Sequence, residues 1–222
     1  MRTDQSSNRR AGRPRAAAKR ELILEGAMHL FAEFGFHAAR MDDLAANLGI
    51  AKGSIFQHFG NKQGLFLEVY KHAARSLPAY MDAPKEVRDR GFFEILRYWL
   101  VRTDHLVRED WLPFRICLLG NYGTDLTVKR EVNRFLAAED PNGTLAFVKF
   151  GWERGELRRD LDADLLASVL DGMVERYQDA LVVEELDPGL FRRGRVSEEQ
   201  KKKELSQFLN ILQRAIGVAS RS

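Results

Sequence analysis

The stretch Lys52-Gly53-Ser54-Ile55-Phe56-Gln57-His58-Phe59 crowds hydrogen-bonding and aromatic side chains into eight residues. Those types suit the edges and backbone of duplex DNA. A glutamine can bond adenine in the major groove, an apolar side chain can touch a thymine methyl, and lysine or serine can hold guanine or phosphate. Gln57, Lys52 and Phe56 are therefore expected at base edges, and Ser54 and His58 at phosphates. Gly53 lets the backbone approach a duplex closely. Lys62 follows at the start of another helix, where free amides and an ammonium together make a phosphate site. Arg40 lies upstream and can reach phosphate too. Other chemistries find less support. There is no zinc-protease histidine pair, no phosphate-binding glycine loop and no nucleophile elbow. His105 and Glu109, four apart, could clamp a metal, but a solvated helix face explains them as well. Cys117 is the only cysteine; in its apolar run it reads as an inert buried thiol. No catalytic residue, metal ligand or cofactor is expected.

The elements around this stretch must be helices. Ile55 and Phe59 sit four apart and can face a core while the rest of Lys52–Phe59 faces outward. Before it, Asp42–Leu48 reads as a short helix with two acids in its first turn. Gly49-Ile50-Ala51 joins the two. Two short helices on a tight glycine turn are the helix-turn-helix pattern. A first helix, Ala16–Phe34, carries Ile23, Ala27, Leu30, Phe31 and Phe34 at spacings of three and four, with Phe31 and Phe34 read as core and Gly35 as its cap. A fourth runs from Lys62 to about Met81, with Leu65, Phe66, Val69, Ala73 and Leu77 on one face, Pro78 as a kink and Pro84 as its end. Further helices are expected over Glu86–Arg108, Asp125–Glu139, Thr144–Arg154 and Asp162–Leu186. Pro113 opens a short apolar stretch to Leu119. Ser197 with Gln200 caps a last helix to Gly217. Nothing alternates like a strand, so the fold class is all-α.

Composition agrees with a globular chain. The 222 residues are 45% apolar and 30% charged. No charge-free run exceeds nine residues, whereas a membrane span needs about 20 apolar ones. A cytoplasmic protein without a membrane partner is expected, and a single cysteine rules out a disulfide scaffold. Net charge is +3, but the first twenty residues hold Arg2, Arg9, Arg10, Arg13, Arg15, Lys19 and Arg20 against Asp4 alone. That end therefore carries +6 and the other 202 residues −3, which points to a polyanion there. Gly12-Arg13-Pro14-Arg15 resembles the minor-groove AT-hook: Pro14 keeps the chain extended while Arg13 and Arg15 can lie in the narrow groove of A/T-rich DNA. A non-specific phosphate grip is the equal alternative.

From Lys19 to Tyr70 the sequence resembles the tetracycline-repressor (TetR-type) family of bacterial one-component regulators. The carriers are Ile23-Leu24-Glu25-Gly26-Ala27, Leu30-Phe31-Ala32-Glu33-Phe34-Gly35-Phe36, Met41-Asp42-Asp43-Leu44-Ala45, Leu48 through Phe59, and Asn61-Lys62-Gln63-Gly64-Leu65-Phe66. Arg154-Gly155-Glu156-Leu157-Arg158 is a family-like turn further on. Three positions depart. Phe56 stands where the family usually has tyrosine, Arg40 where it has a capping threonine worth roughly 1 kcal/mol, and Gly26 where it has alanine.

The resemblance implies a basic disordered arm over 1–15, a three-helix helix-turn-helix DNA-binding domain over 16–62, and a helical effector-binding and dimerisation domain over 63–222. It implies a regulator, expected to be a repressor, that binds a palindromic operator in double-stranded DNA as a homodimer and is released by a small apolar or amphipathic effector. Two C-terminal stripes suit a four-helix seam: Leu166, Val169, Leu170 and Met173, then Leu205, Leu209, Leu212 and Ile216. Family members hold their effector in the middle helices, where Phe92, Leu96, Trp99, Phe114, Phe147 and Phe150, with Tyr177, are the candidate lining. The fourth helix, a rod of about 30 Å, would link the DNA end to that aromatic middle. The competing classes are an architectural DNA-binding protein using the arm and an enzyme carrying a helix-turn-helix domain.

Overall fold

The computed structural model describes residues 7–77, 82–123, 125–139, 143–182 and 197–218. Among these there are eleven helices and no strand; Leu157 and Gly217 form one isolated antiparallel bridge. The helices are α1 (Ser7–Ala38), α2 (Met41–Asn47), α3 (Lys52–Phe59), α4 (Lys62–Ser76), α5 (Lys85–Arg88), α6 (Phe92–Glu109), α7 (Leu112–Tyr122), α8 (Leu126–Glu139), α9 (Gly143–Glu153), α10 (Ala163–Val182) and α11 (Glu198–Ile216). None of them is long and apolar enough to cross a membrane. Packing divides the chain into two units. One comprises Met1–Ser76 with Arg115–Phe135, the other Leu77–Phe114 with Leu136–Ser222.

In the first unit α1 packs on α2 and α4, and α3 on α2 and α4. Ile23, Leu24, Ala27, Leu30 and Phe31 form the buried stripe of α1, and Leu65, Phe66, Val69 and Tyr70 that of α4. Gly26 accounts for the close seat of α2: a Cβ there would lie 3.1 Å from Leu48 Cδ2 and 3.2 Å from Leu44 Cδ1. The segment Arg115–Phe135 adds a wall. Tyr70 is buried with its hydroxyl 3.4 Å from Asn121 Oδ1 and its ring edge-on to Phe135. Arg115 Nε donates to the Ala32 carbonyl at 3.3 Å.

Several expectations are corrected here. Phe34 is 52% exposed. Gly35 (φ 72°, ψ 173°) swings the chain so that Phe36, not Phe34, joins Phe31 and Phe66. The helix starts earlier than Ala16, at Ser7. Ala16-Ala17-Ala18 supply strong helix formers from which it can propagate. The first six residues lie outside the described set. The fourth helix is shorter than expected, ending at Ser76 after 15 residues, about 22 Å. Within the first unit its buried face packs on α1 and Arg115–Phe135; Leu77, just past its end, packs against the aromatic core of the second unit, and Tyr80 and Met81 lie outside the described residues. The expected Glu86–Arg108 helix is two, because Gly91 takes φ 107° between α5 and α6.

In the second unit Phe92, Leu96, Leu100, Leu106, Phe114, Val148, Leu157, Leu166, Leu170, Tyr177 and the inner face of α11 make one core. Glu156 ties its turns together. One carboxylate oxygen accepts the Phe92 N–H at the start of α6 (2.8 Å), and the other accepts from Arg154 Nε. Its backbone carbonyl accepts from Val218 N at 2.9 Å. Ser197 caps α11 by accepting from Gln200 N at 3.2 Å, as the sequence pattern predicts.

Candidate nucleic-acid interface

α2 ends at Leu48, whose N–H donates back to Leu44, and Gly49 reverses the chain with φ 63°. That left-handed angle strains any residue with a Cβ, so glycine belongs there. Ala51 then opens α3 from an extended conformation and accepts from Ser54 N at 2.9 Å. Ile55 and Phe59 are buried as their spacing requires. Lys52, Gly53 and Gln57 are exposed, while Ser54, Phe56 and His58 are half-buried on the flanks. The structure thus brings all six α3 candidates onto one short helix whose apolar pair is turned inward.

The cations around it are mostly engaged. Lys52 Nζ bonds Asp42 Oδ2 on α2 at 2.9 Å. No spacing rule flags that partner, because the pair is joined by the turn. Arg40 precedes α2 in an extended conformation, exposed, and makes no side-chain cap, so the capping bond of a threonine is indeed missing. Lys62 Nζ donates to the His37 carbonyl at 2.9 Å, and burial lowers its pKa. Asn61 Oδ1 accepts from Gly64 N at 2.8 Å, so an asparagine cap opens α4. Asparagine three residues before an amide is a readable cap signal. Arg20 of α1 lies over the Phe59 ring, 5.2 Å from its centroid, and pairs with Glu68 of α4. Burial alone would raise the Glu68 carboxyl, but Lys71 and Arg20 outweigh it and hold the pKa below 4.5. Arg13 and Arg15 lie on the α1 backbone extension.

The remaining candidates gather in the second unit. Phe92, Leu96, Phe114 and Tyr177 are buried in its core, with Phe147 and Phe150 packed against it. Phe147 stacks on Phe92 at 4.1 Å and meets Trp99 at 4.6 Å between ring centroids. The seam residues divide. Leu166, Leu170, Leu205, Leu209, Leu212 and Ile216 belong to the chain's own core, and Met173 packs against it. Val169 alone of the eight is exposed, at 48%, beside Leu165 at 63% on α10; Ile211 of α11 is 61% exposed. Leu165 and Val169, four apart on α10, and Ile211 on α11 are thus left exposed by their own unit.

Two short helices on a glycine turn, with an inward apolar pair and an outward polar face, define a helix-turn-helix protein. Comparison with known proteins narrows this. A family model described as bacterial regulatory proteins, tetR family, matches residues 23–69. The HTH-type transcriptional repressor AcnR of Corynebacterium diphtheriae is 30% identical over 164 residues, covering 71% of this chain and 80% of that protein. The HTH-type transcriptional repressor Rv1474c of Mycobacterium tuberculosis is 29% identical over 167 residues, covering 72% and 82%. A TetR transcriptional regulator structure from Chloroflexus aurantiacus shares the fold with a TM-score of 0.66 at 19% identity, covering 93% of this chain and all of that one. The chain belongs to the TetR family of bacterial transcriptional regulators and is itself a DNA-binding regulator.

Proposed function

We propose that this protein is a ligand-responsive repressor that binds a palindromic operator as a homodimer in the cytoplasm and leaves it when a small apolar or amphipathic effector binds. The observation that carries the reading is the outward face of α3, where Lys52, Gly53 and Gln57 are exposed over a buried Ile55–Phe59 pair. Base contacts fall to Gln57, Lys52 and Phe56, and phosphate contacts to Ser54, His58, Lys62 and Arg40. One short helix reads too few base pairs to find a single site in a genome, so two copies are needed. The exposed apolar side chains Leu165 and Val169 on α10 and Ile211 on α11 support a seam between copies. The repressor sign is supported by the names of the corynebacterial and mycobacterial relatives. The effector is assigned to the core around Phe92, Trp99 and Phe147, and Phe114 at the base of α7 offers a route out of it. From Arg115 onward the same helix belongs to the first unit, so a shift of α7 would reach α1 and α4. A ligand acts only by its differential affinity for the two states, and couplings of about 1–3 kcal/mol would weaken operator binding roughly 5- to 150-fold.

The test is to sequence the genomic fragments that the purified protein retains and to footprint them. An inverted repeat with half-site centres about one helical turn, or a multiple, apart is expected. A monomer at micromolar concentration with no protected palindrome refutes the reading. An effector that quenches tryptophan emission yet leaves operator affinity unchanged at saturation refutes the coupling.

A further inference from the structure

The start of α6 and the end of α11 bound a cleft of about 250 Å³ within the second unit. That is just under the range of about 300–1,000 Å³ that drug-sized ligands fill, so it suits a small metabolite. Arg90 and Arg97 bring guanidinium groups from one side, and Ser206, Asn210 and Gln213 bring a hydroxyl and two amides from α11. Phe93 and Leu209 add apolar surface. Phe93 is half-buried and meets the fully buried Phe92 edge-on at 5.1 Å. Not all of these groups are engaged within the protein. Glu156 is, because one carboxylate oxygen holds Phe92 N–H and the other Arg154 Nε. Glu94 reaches Arg97 Nε at 3.4 Å, with both side chains 42% exposed, and a pair so exposed is readily exchanged in water. The Nη atoms of Arg97 and the exposed Arg90 meet no acceptor among the described residues. Counting Arg154, three guanidinium groups face two carboxylates, a surplus of one positive charge. Ser206 donates its hydroxyl to the Lys202 carbonyl at 2.8 Å, so its oxygen is left to accept, whereas the two amides can also donate.

We propose that this cleft is a second small-molecule site, for a monocarboxylate with a flat apolar body and a hydroxyl at its far end. A guanidinium fork matches the two oxygens of a carboxylate. Phe93 and Leu209 cover the body, and Ser206 accepts from the hydroxyl. The site is separate from the aromatic core to which the effector is assigned above. It also leaves the seam between copies clear. At about 100° per residue, Ser206, Asn210 and Gln213 fall on one side of the buried Leu205–Leu209–Leu212–Ile216 line, and Phe208 and Ile211 on the other.

The experiment is a ligand-observed NMR titration of the full-length protein with 4-hydroxybenzoate. It contains no DNA, so its outcome is independent of the operator reading. Saturable binding is expected. Arg90→Gln and Arg97→Gln should each weaken it about tenfold or more. Asn210→Asp, which sets a like charge beside the carboxylate, should do the same, and all three should keep the unfolding temperature. Arg214→Gln, exposed on α11 outside the cleft, should bind as wild type does. Benzamide, of the same shape as benzoate but uncharged, should bind at least about tenfold more weakly than 4-hydroxybenzoate. No binding of 4-hydroxybenzoate at millimolar concentration overturns the proposal. So does wild-type affinity in both arginine variants, which would put the ligand elsewhere, the aromatic core included. Inorganic phosphate binding more tightly than 4-hydroxybenzoate overturns the ligand class. Should an arginine variant fail to fold, Asn210→Asp decides: unchanged affinity overturns the site.

Discussion

Replacing Glu156 by alanine removes the acceptor that starts α6 and one end of the Arg154 pair. α6 has no cap of its own, since Gly91 precedes it, and Phe92 N–H lies 2.8 Å from the Glu156 carboxylate. A hydrogen bond to a charged group contributes about 1.5–3 kcal/mol, most when buried, and a lost N-cap costs about 1 kcal/mol. These describe the same contact, so they do not add. The Arg154 pair lies near the surface, its side chains 37% and 25% exposed, and such pairs contribute about 0–1 kcal/mol. The expected loss is therefore about 2 kcal/mol. In a chain of this size each kcal/mol moves the unfolding midpoint by about 2–4 °C, so a fall of about 4–8 °C is expected. Trp99, Trp111 and Trp152 all lie in the second unit, so their emission follows the unit that Glu156 holds. Glu156→Gln keeps an oxygen for Phe92 N–H and should lose about half as much. A fall below about 1 °C for the alanine variant would refute the reasoning. So would a glutamine variant as unstable as the alanine one, because the carbonyl acceptor would then contribute nothing.

Other contacts can be tested in the same way. Gly120→Ala would set a Cβ 2.5 Å from the Tyr70 ring, an overpacking that should cost about 1–3 kcal/mol in urea unfolding; a variant as stable as wild type would show that the ring is not held there. Arg40→Thr should gain about 1 kcal/mol in thermal unfolding by restoring a cap, and lose operator affinity in a filter-binding assay if Arg40 meets a phosphate. The pKa of Glu68 is lowered on folding, so its pairing with Lys71 and Arg20 stabilises the protein above pH 4.5 and is lost as pH falls below it. Wild type and Glu68→Gln should therefore differ in unfolding temperature at pH 6 and converge in acid. Gln57→Ala should alter preference at one or two base pairs, by about 1–3 kcal/mol in a binding-site selection; a uniform loss over all sites would make Gln57 a backbone contact.

Local signals were enough for the reading head. Gly49 must be glycine at φ 63°, and Ile55 and Phe59 four apart must share a face; both facts depend on nearest neighbours along the chain. Phe34 and Phe36 show where such signals stop. They flank Gly35, and which of them enters the core depends on the angle the glycine adopts, which the neighbouring residues do not dictate. The C-terminal stripes stop at a different point. Their periodicity says correctly that Leu166, Leu170, Leu205, Leu209, Leu212 and Ile216 are buried. It says nothing of whether the covering surface comes from the same chain or another copy. Leu165, Val169 and Ile211 are left exposed by their own unit, and an apolar side chain in water has free energy still to gain from any surface that covers it.

The charged residues carry the same lesson in electrostatic form. Residue type predicts that Lys52, Arg40 and Lys62 bear positive charge near DNA, and all three do lie on the first unit. Their partners are set by where the backbone turns. Lys52 meets Asp42 across the glycine turn, and Lys62 meets a carbonyl in the last turn of α1, beyond the break at Gly35. Both pairs use atoms brought close by the positive φ of a glycine, so a pattern of charges along the chain could not have found them. A DNA phosphate would have to compete with the Asp42 carboxylate for Lys52, at a pair exposed enough to contribute at most about 1 kcal/mol. Lys52 can therefore be released to the duplex at small cost. Lys62 would likewise exchange an exposed hydrogen bond to the His37 carbonyl for a phosphate, so neither lysine is locked away from the duplex.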